Sequence, residues 1–216
     1  MTNLFPLFVK LEGRQVLVVG AGDIGEQKIR GLLGTGALVH AVALQVTDAV
    51  QGWARSCQIT LETRHFVPSD LEGRFLVVAA TSSQQLNEQI FEAAQARSVL
   101  CNIVDVPELC DFYYPAVVQR GDLQIAISTA GQSPSLAAQI RQRLEREFGH
   151  GYAEWVRDLG ETRRRVLASD LDAETKRELL NSLASREAFE ARVKAASLRA
   201  PAITGRESAS QENVAT

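Results

Sequence analysis

Three glycines and one aspartate carry the chemistry that is most readily legible in this sequence. Gly20, Gly22 and Gly25 stand in Gly20-Ala21-Gly22-Asp23-Ile24-Gly25, a G-x-G-x-x-G run that follows an apolar stretch and opens a helix-forming one. In that context the first glycine permits a tight turn, the second lets backbone approach a pyrophosphate, and the third lets the helix pack closely on the sheet. The N–H groups and positive dipole end of the helix then face the phosphates. A glycine-rich turn that binds nothing is the competing reading. The aspartate is Asp105, just past Val99-Leu100-Cys101-Asn102-Ile103-Val104. At the carboxyl end of a strand, where open α/β sheets bind ligands, a carboxylate can act as a general base. Asp before Val106-Pro107 is equally good turn chemistry.

Other reactive side chains are less well placed. Cys57, Cys101 and Cys110 form no C-x-x-C pair, which fits reduced thiols rather than a disulfide framework or a structural zinc site. His40, His65 and His150 are scattered, so no metal site is expected. One expected part of a dinucleotide site is missing. An acid normally follows about 20 residues downstream to bind the ribose hydroxyls. Here the segment reads Val42-Ala43-Leu44-Gln45-Val46, with no acid before Asp48 and no arginine for a 2′-phosphate, so Gln45 is the neutral substitute.

The elements that would position these groups follow from hydrophobic period. Arg14–Gly20, Ala37–Val42, Gln58–Leu61, Phe75–Ala80 and Val99–Val104 read as strands, and Glu26–Leu33, Asp48–Ser56 and Gln84–Arg97 as helices, with Gly36 closing the first helix. Phe75–Ala80 is apolar on both faces and is expected at the centre of a helix-covered parallel sheet. Phe112–Gln119 and Leu123–Ser128 around Gly121-Asp122 read as a β-hairpin, foreign to a βα alternation. A helix then follows from Pro134, with Ser133 as its cap, to about Phe148. Tyr152–Leu198 reads as helical and charged, with Asp170 capping a segment that begins at Leu171. The expected architecture is α/β: a Rossmann-like parallel sheet at 1–112, a hairpin-and-helix dimerisation region at 113–149, a helical module at 150–200 and a flexible tail at 201–216.

The chain of 216 residues has 45% hydrophobic and 23% charged residues, ordinary for a packed protein. Its net charge of −3 gives no global basic field, which disfavours a nucleic-acid partner. No apolar run approaches the roughly 20 residues of a membrane span and no signal peptide is visible, so the expectation is a cytoplasmic protein with no membrane partner.

Roughly the first 150 residues resemble the precorrin-2 dehydrogenase family, the sirohaem-synthase N-terminal type that in some members also acts as a sirohydrochlorin ferrochelatase. The resemblance rests on separate blocks in order: Leu4-Phe5-Pro6-Leu7-Phe8; Val18 to Gly25 with Lys28; Ala79-Ala80-Thr81 with Asn87; Cys101 to Pro107 with Phe112 and Pro115; and Ile127-Ser128-Thr129-Ala130-Gly131-Gln132-Ser133-Pro134 running on to Ala137. Ser82-Ser83-Gln84 departs from the acidic residues common there in the family. The resemblance implies NAD-dependent dehydrogenation of precorrin-2 to sirohydrochlorin on the route to sirohaem, with iron insertion left open, and a homodimer. It also implies that Asp105 is the catalytic carboxylate. NAD contacts are expected at Gly20, Gly22, Asp23, Ile24, Gly25, Leu44, Gln45, Thr81, Asn102 and Val104. Ser128, Thr129, Gln132, Ser133 and Arg120 are expected to meet the substrate, a polycarboxylate that calls for local cations. Further cation candidates are Lys28, Arg30, Arg141 and Arg143, whereas Arg163-Arg164-Arg165 reads as a solvated helix face. Two rival readings stay open: a dinucleotide-sensing regulatory module without catalysis, and a tetrapyrrole chelatase that has lost NAD use.

Overall fold

The computed structural model describes residues 4–199, so the expected tail at 201–216 lies outside the described residues. The chain forms two compact units: one runs to Pro115 and includes Ser128–Pro134, and the other comprises Ala116–Ile127 and the chain from Ser135.

The first unit is a five-stranded sheet in the order β3-β2-β1-β4-β5, with every pairing parallel. Its strands are β1 (Gln15–Ala21), β2 (Leu38–Val46), β3 (Thr60–Glu62), β4 (Leu76–Ala79) and β5 (Leu100–Ile103). Helices α1 (Asp23–Leu32), α2 (Asp48–Arg55) and α3 (Gln84–Gln95) make three of the four connections, and a short 3-10 turn at Pro68–Leu71 joins β3 to β4. Side chains of β1 alternate between two dry layers, as a strand period of two dictates. Val16 and Val18 pack with Ile29, Val39 and Val50, while Leu17 and Val19 pack with Val77, Ile90 and Ile103. β1 therefore occupies the middle of the sheet. The doubly apolar β4 is interior but one place off centre, between β1 and β5. Full burial on both faces is common to all interior strands of such a sheet, so apolarity does not rank them.

Helix starts differ in a way that matters for the site. Thr47 Oγ1 accepts from the Val50 N–H at the start of α2, and Ser83 Oγ accepts from the Leu86 N–H at the start of α3. Helix α1 begins at Asp23, three residues earlier than expected. Its cap is Gly22, which has no side chain to give. The helix ends at Leu32, ahead of Gly36.

In the second unit, β6 (Ala116–Arg120) and β7 (Leu123–Ile127) form the antiparallel hairpin, turned by Gly121-Asp122. Its first strand starts four residues later than expected, because Pro115 precedes it and Cys110–Phe112 are bonded to β5 instead. Helices α4 (Pro134–Glu147), α5 (Gly151–Leu167), α6 (Ala173–Leu183) and α7 (Arg186–Arg199) follow. Asp172, not Asp170, caps α6, accepting from the Glu174 and Thr175 N–H groups at 3.0 Å. Asp172 stands directly before the first helical residue, where its carboxylate reaches those donors. Rings of Phe148, Tyr152, Trp155 and Phe189 cluster at centroid separations of 4.2–5.4 Å. The Arg163–Arg165 run is exposed along α5.

Candidate functional site

The carboxyl ends of the parallel strands open on a crevice of about 960 Å³. Its floor is the β1–α1 turn. Gly20 has φ +92, and a Cβ there would collide with the Ala80 carbonyl at the end of β4. A Cβ on Gly25 would collide with the Gly20 carbonyl, so the third glycine lets α1 sit against the turn. Gly22 is the opposite case: nothing lies within 4 Å of where its Cβ would be. The middle glycine thus keeps backbone open to the crevice, and the N-terminus of α1 has no side-chain cap. An uncapped helix N-terminus beside an open glycine fits a pyrophosphate.

Gly20, Gly22, Asp23, Ile24, Leu44, Gln45, Thr81, Val104 and Asp105 all line the crevice. Gly25 lies beneath it. Asn102 is buried in β5 and is not part of the lining; its amide donates to the Phe112 carbonyl at 2.7 Å. On the β4 side, the Thr81 hydroxyl donates to Asn87 Oδ1 at 2.7 Å and Asn87 Nδ2 donates back to the Thr81 carbonyl at 3.3 Å. Asn87 is buried, so this pair fixes the Thr81 turn from below.

Asp105 occupies a turn closed by the Val106 N–H to the Ile103 carbonyl at 3.2 Å, with φ +62. Left-handed backbone is unfavourable for a side-chain-bearing residue, least so for Asn and Asp. The exposed carboxylate is held at the crevice rim by that turn.

Arg64, His65 and Phe66, after β3, also line the crevice and were not anticipated. The rule that ligands bind at strand ends would have pointed to them, but β3 is only three residues long. The Arg64 guanidinium is already committed: to Asp70 through two nitrogens at 2.6 and 2.9 Å, to Glu62 at 2.7 Å and to the His65 carbonyl at 2.9 Å. The Asp70 and Glu62 carboxylates raise the Arg64 pKa. Burial works against the Asp70 carboxylate, yet Arg64 and the Val67 N–H hold its pKa below the ordinary value. Arg74 donates to His40 Nδ1 at 2.6 Å, which leaves Nε2 facing Glu62 at 2.8 Å.

Ser128, Thr129, Gln132 and Ser133 share one loop of the first unit, outside the crevice lining. Ser128 Oγ accepts from the Ala130 N–H and Thr129 Oγ1 from the Ser133 N–H, both at 3.1 Å. Ala130 and Gly131 are both left-handed, and the Gln132 N–H closes the turn on the Thr129 carbonyl. Arg120 belongs to the second unit, where its guanidinium donates to the carbonyls of Gln119, Glu145 and Phe148. Among the described residues, no group of three or more His, Cys, Asp and Glu side chains could hold a metal ion.

Comparison with known proteins converges on this arrangement. A family model described as NAD(P)-binding matches residues 7–116, more than half of the chain, and one described as "Sirohaem biosynthesis protein central" matches residues 120–147. The chain is 40% identical over 161 residues to Siroheme synthase 2 of Klebsiella pneumoniae, covering 74% of this chain and 35% of that protein. It is 36% identical over 164 residues to Siroheme synthase 2 of Pectobacterium atrosepticum, covering 76% and 36%. The chain therefore spans about a third of the length of these relatives. Among solved structures, SirC, precorrin-2 dehydrogenase, superposes with a TM-score of 0.77 at 28% identity, covering 90% of this chain and 96% of that one. The fold, the glycine turn and both matched segments agree, and the chain belongs to the family of NAD(P)-binding sirohaem-biosynthesis proteins.

Proposed function

We propose that this chain oxidises precorrin-2 to sirohydrochlorin with NAD, through the crevice above β1, β4 and β5. One observation carries the reading: the uncapped N-terminus of α1, with its open Gly22, and the carboxylate of Asp105 line the same crevice. The first fits a pyrophosphate and the second fits a base.

Bound there, the nicotinamide supplies a hydride acceptor. The chain's own residues do the rest. Asp105 takes the proton that leaves the macrocycle as the hydride departs, so two electrons and one proton are removed with the hydride and a second proton is released. Asn87 holds the Thr81 turn in place, and Leu44 and Gln45 meet the adenosine ribose. NAD is favoured over NADP because Arg64, on the β3 side, is saturated by Asp70 and Glu62 and has no donor pair left for a 2′-phosphate. Ser128, Thr129, Gln132 and Ser133 offer hydroxyl and amide groups to substrate carboxylates. Arg120 spends three of its five N–H groups on carbonyls of its own unit and keeps its charge as a candidate for a substrate carboxylate. Iron insertion is the second activity to test.

The hairpin supports a homodimer, since Val117 is exposed on β6 while Val118 is buried. Sedimentation at micromolar concentration should give twice the chain mass; a monomer would remove that part. Three free cysteines fit a cytoplasmic setting, and among the described residues no helix is long and apolar enough to cross a membrane.

The decisive experiment supplies precorrin-2 with NAD or with NADP, follows sirohydrochlorin by absorbance, and then adds ferrous iron. Sirohydrochlorin formed faster with NAD is the expected result. No absorbance change would favour a dinucleotide sensor, and metal insertion without an NAD-dependent step would favour a chelatase.

A further inference from the structure

Half-buried cations elsewhere in this fold donate to acceptors: Arg74 to His40 and the Asp70 carbonyl, Arg120 to three backbone carbonyls, and others to carboxylates. Asp70 is buried against Arg64, and Arg141 pairs with Glu145. Lys28, on α1, breaks the pattern. It is half-buried, and its Nζ lies 4.0 Å from the centroid of the Tyr114 ring, which in turn leans on Phe112 at 5.8 Å. Among the described residues no carboxylate comes within ion-pair distance of it. A ring face offsets part of the desolvation of an ammonium but does not neutralise it. Asp105 and Cys110 are near enough to act on Lys28 electrostatically. An incompletely compensated cation therefore stands next to the carboxylate at the crevice rim.

We infer that Lys28, seated on Tyr114 beside Asp105, anchors a carboxylate of the tetrapyrrole substrate. The identity of that substrate rests on the dehydrogenase reading above; the anchor does not. A substrate carboxylate supplies the counter-charge that the fold leaves out and sets the macrocycle edge beside Asp105. The site selects for anionic side arms, because Asp105 itself repels them unless a cation is next to it.

The groups around Lys28 make the anchor sensitive to alkali. Burial lowers the Lys28 pKa, against the opposing pull of Asp105 and Cys110. The thiol on that side moves the other way: burial pushes Cys110 up, with Asp111 and Glu108 adding to it. Lys28 therefore gives up its charge at a lower pH than an ordinary lysine, whereas Cys110 gains its charge at a higher pH than an ordinary thiol.

The test uses the full chain as Lys28→Met and Lys28→Arg, with uroporphyrin as a non-reacting polycarboxylate probe read by fluorescence quenching. Lys28→Met should weaken uroporphyrin binding and raise KM for precorrin-2 about tenfold, the scale of one charge-assisted hydrogen bond. NADH affinity should stay within twofold. Wild-type KM should climb at alkaline pH, and Lys28→Arg, which stays protonated, should abolish that climb. Unchanged uroporphyrin affinity in Lys28→Met overturns the anchor, and so does an alkaline climb that persists in Lys28→Arg. The second comparison decides the matter even if Lys28→Met fails to fold. Wild-type chain that binds uroporphyrin through Lys28 but leaves precorrin-2 unoxidised supports the anchor while sinking the dehydrogenase.

Discussion

The end of β1 and the turn after β5 both close parallel strands at the same crevice and both enter left-handed backbone, at Gly20 (φ +92) and Asp105 (φ +62). They solve opposite problems. Around Gly20 and Gly25 the atoms that a side chain would meet are backbone carbonyls, which cannot move aside. That turn requires the absence of a side chain. The other turn accepts backbone strain on the order of 1 kcal/mol to hold a carboxylate where a glycine would be more comfortable. Strain of that kind persists where a particular group is needed, whereas the glycine turn is shaped by what must come close to it.

Four substitutions can break or sharpen this contrast. Gly25→Val should have the largest effect, costing several kcal/mol or preventing folding, because the Gly20 carbonyl lies where the new Cβ must go. Circular-dichroism melting and NADH fluorescence would check it, and a variant with wild-type values would end the steric account of the turn. Asp105→Ala should lower kcat by about 10²–10⁴, the usual range for a general base, while NADH still binds. Normal turnover would remove Asp105 from the mechanism.

Asp70→Asn probes the crevice wall away from both turns. It leaves Arg64 without its buried carboxylate and should cost about 3 kcal/mol. The pH sign follows from the depressed pKa. Asp70 contributes its full stability above its ordinary value of 3.8 and loses it as pH falls through the lower folded value. Urea titrations below pH 4 should therefore show a shallower acid loss in Asp70→Asn than in wild type. The smallest effect on stability is the most pointed: Asp105→Gly should lower turnover as far as Asp105→Ala does yet raise stability by about 0.5 kcal/mol, because glycine relieves the left-handed strain. A loss of stability would mean that the carboxylate, not only the backbone, holds that turn.

Much of this was legible in the residues. Alternating apolar strands and periodic helices declare a βα sheet, and the glycine spacing locates its crevice, because both depend on neighbours close in sequence. What escaped depends on distant partners. Arg64, Asp70, His40 and Arg74 form one polar cluster drawn from β2, from the segment after β3 and from the approach to β4, and no local period marks such a set. Asn102 stands in a motif that reads as a ligand contact, yet its amide is used on Phe112, ten residues on. Asp170 and Asp172 are both good caps by type, and only the first helical turn selects the second. Lys28 is visible as a helix residue, but its lack of a counter-charge is a property of the assembled fold.

The segment after β5 has a bearing on aggregation. β5 is an edge strand, yet the Cys101 N–H donates to the Asp111 carboxylate and the Asp111 N–H returns to the Cys101 carbonyl, each at 2.8 Å. Asn102 and Cys110 add an antiparallel bridge. A side-chain oxygen here stands in for the carbonyl of a missing sixth strand. The opposite edge, β3, offers only three residues as a template. Runaway strand addition, the common hazard of exposed sheet borders, is thus closed off at one border and starved at the other.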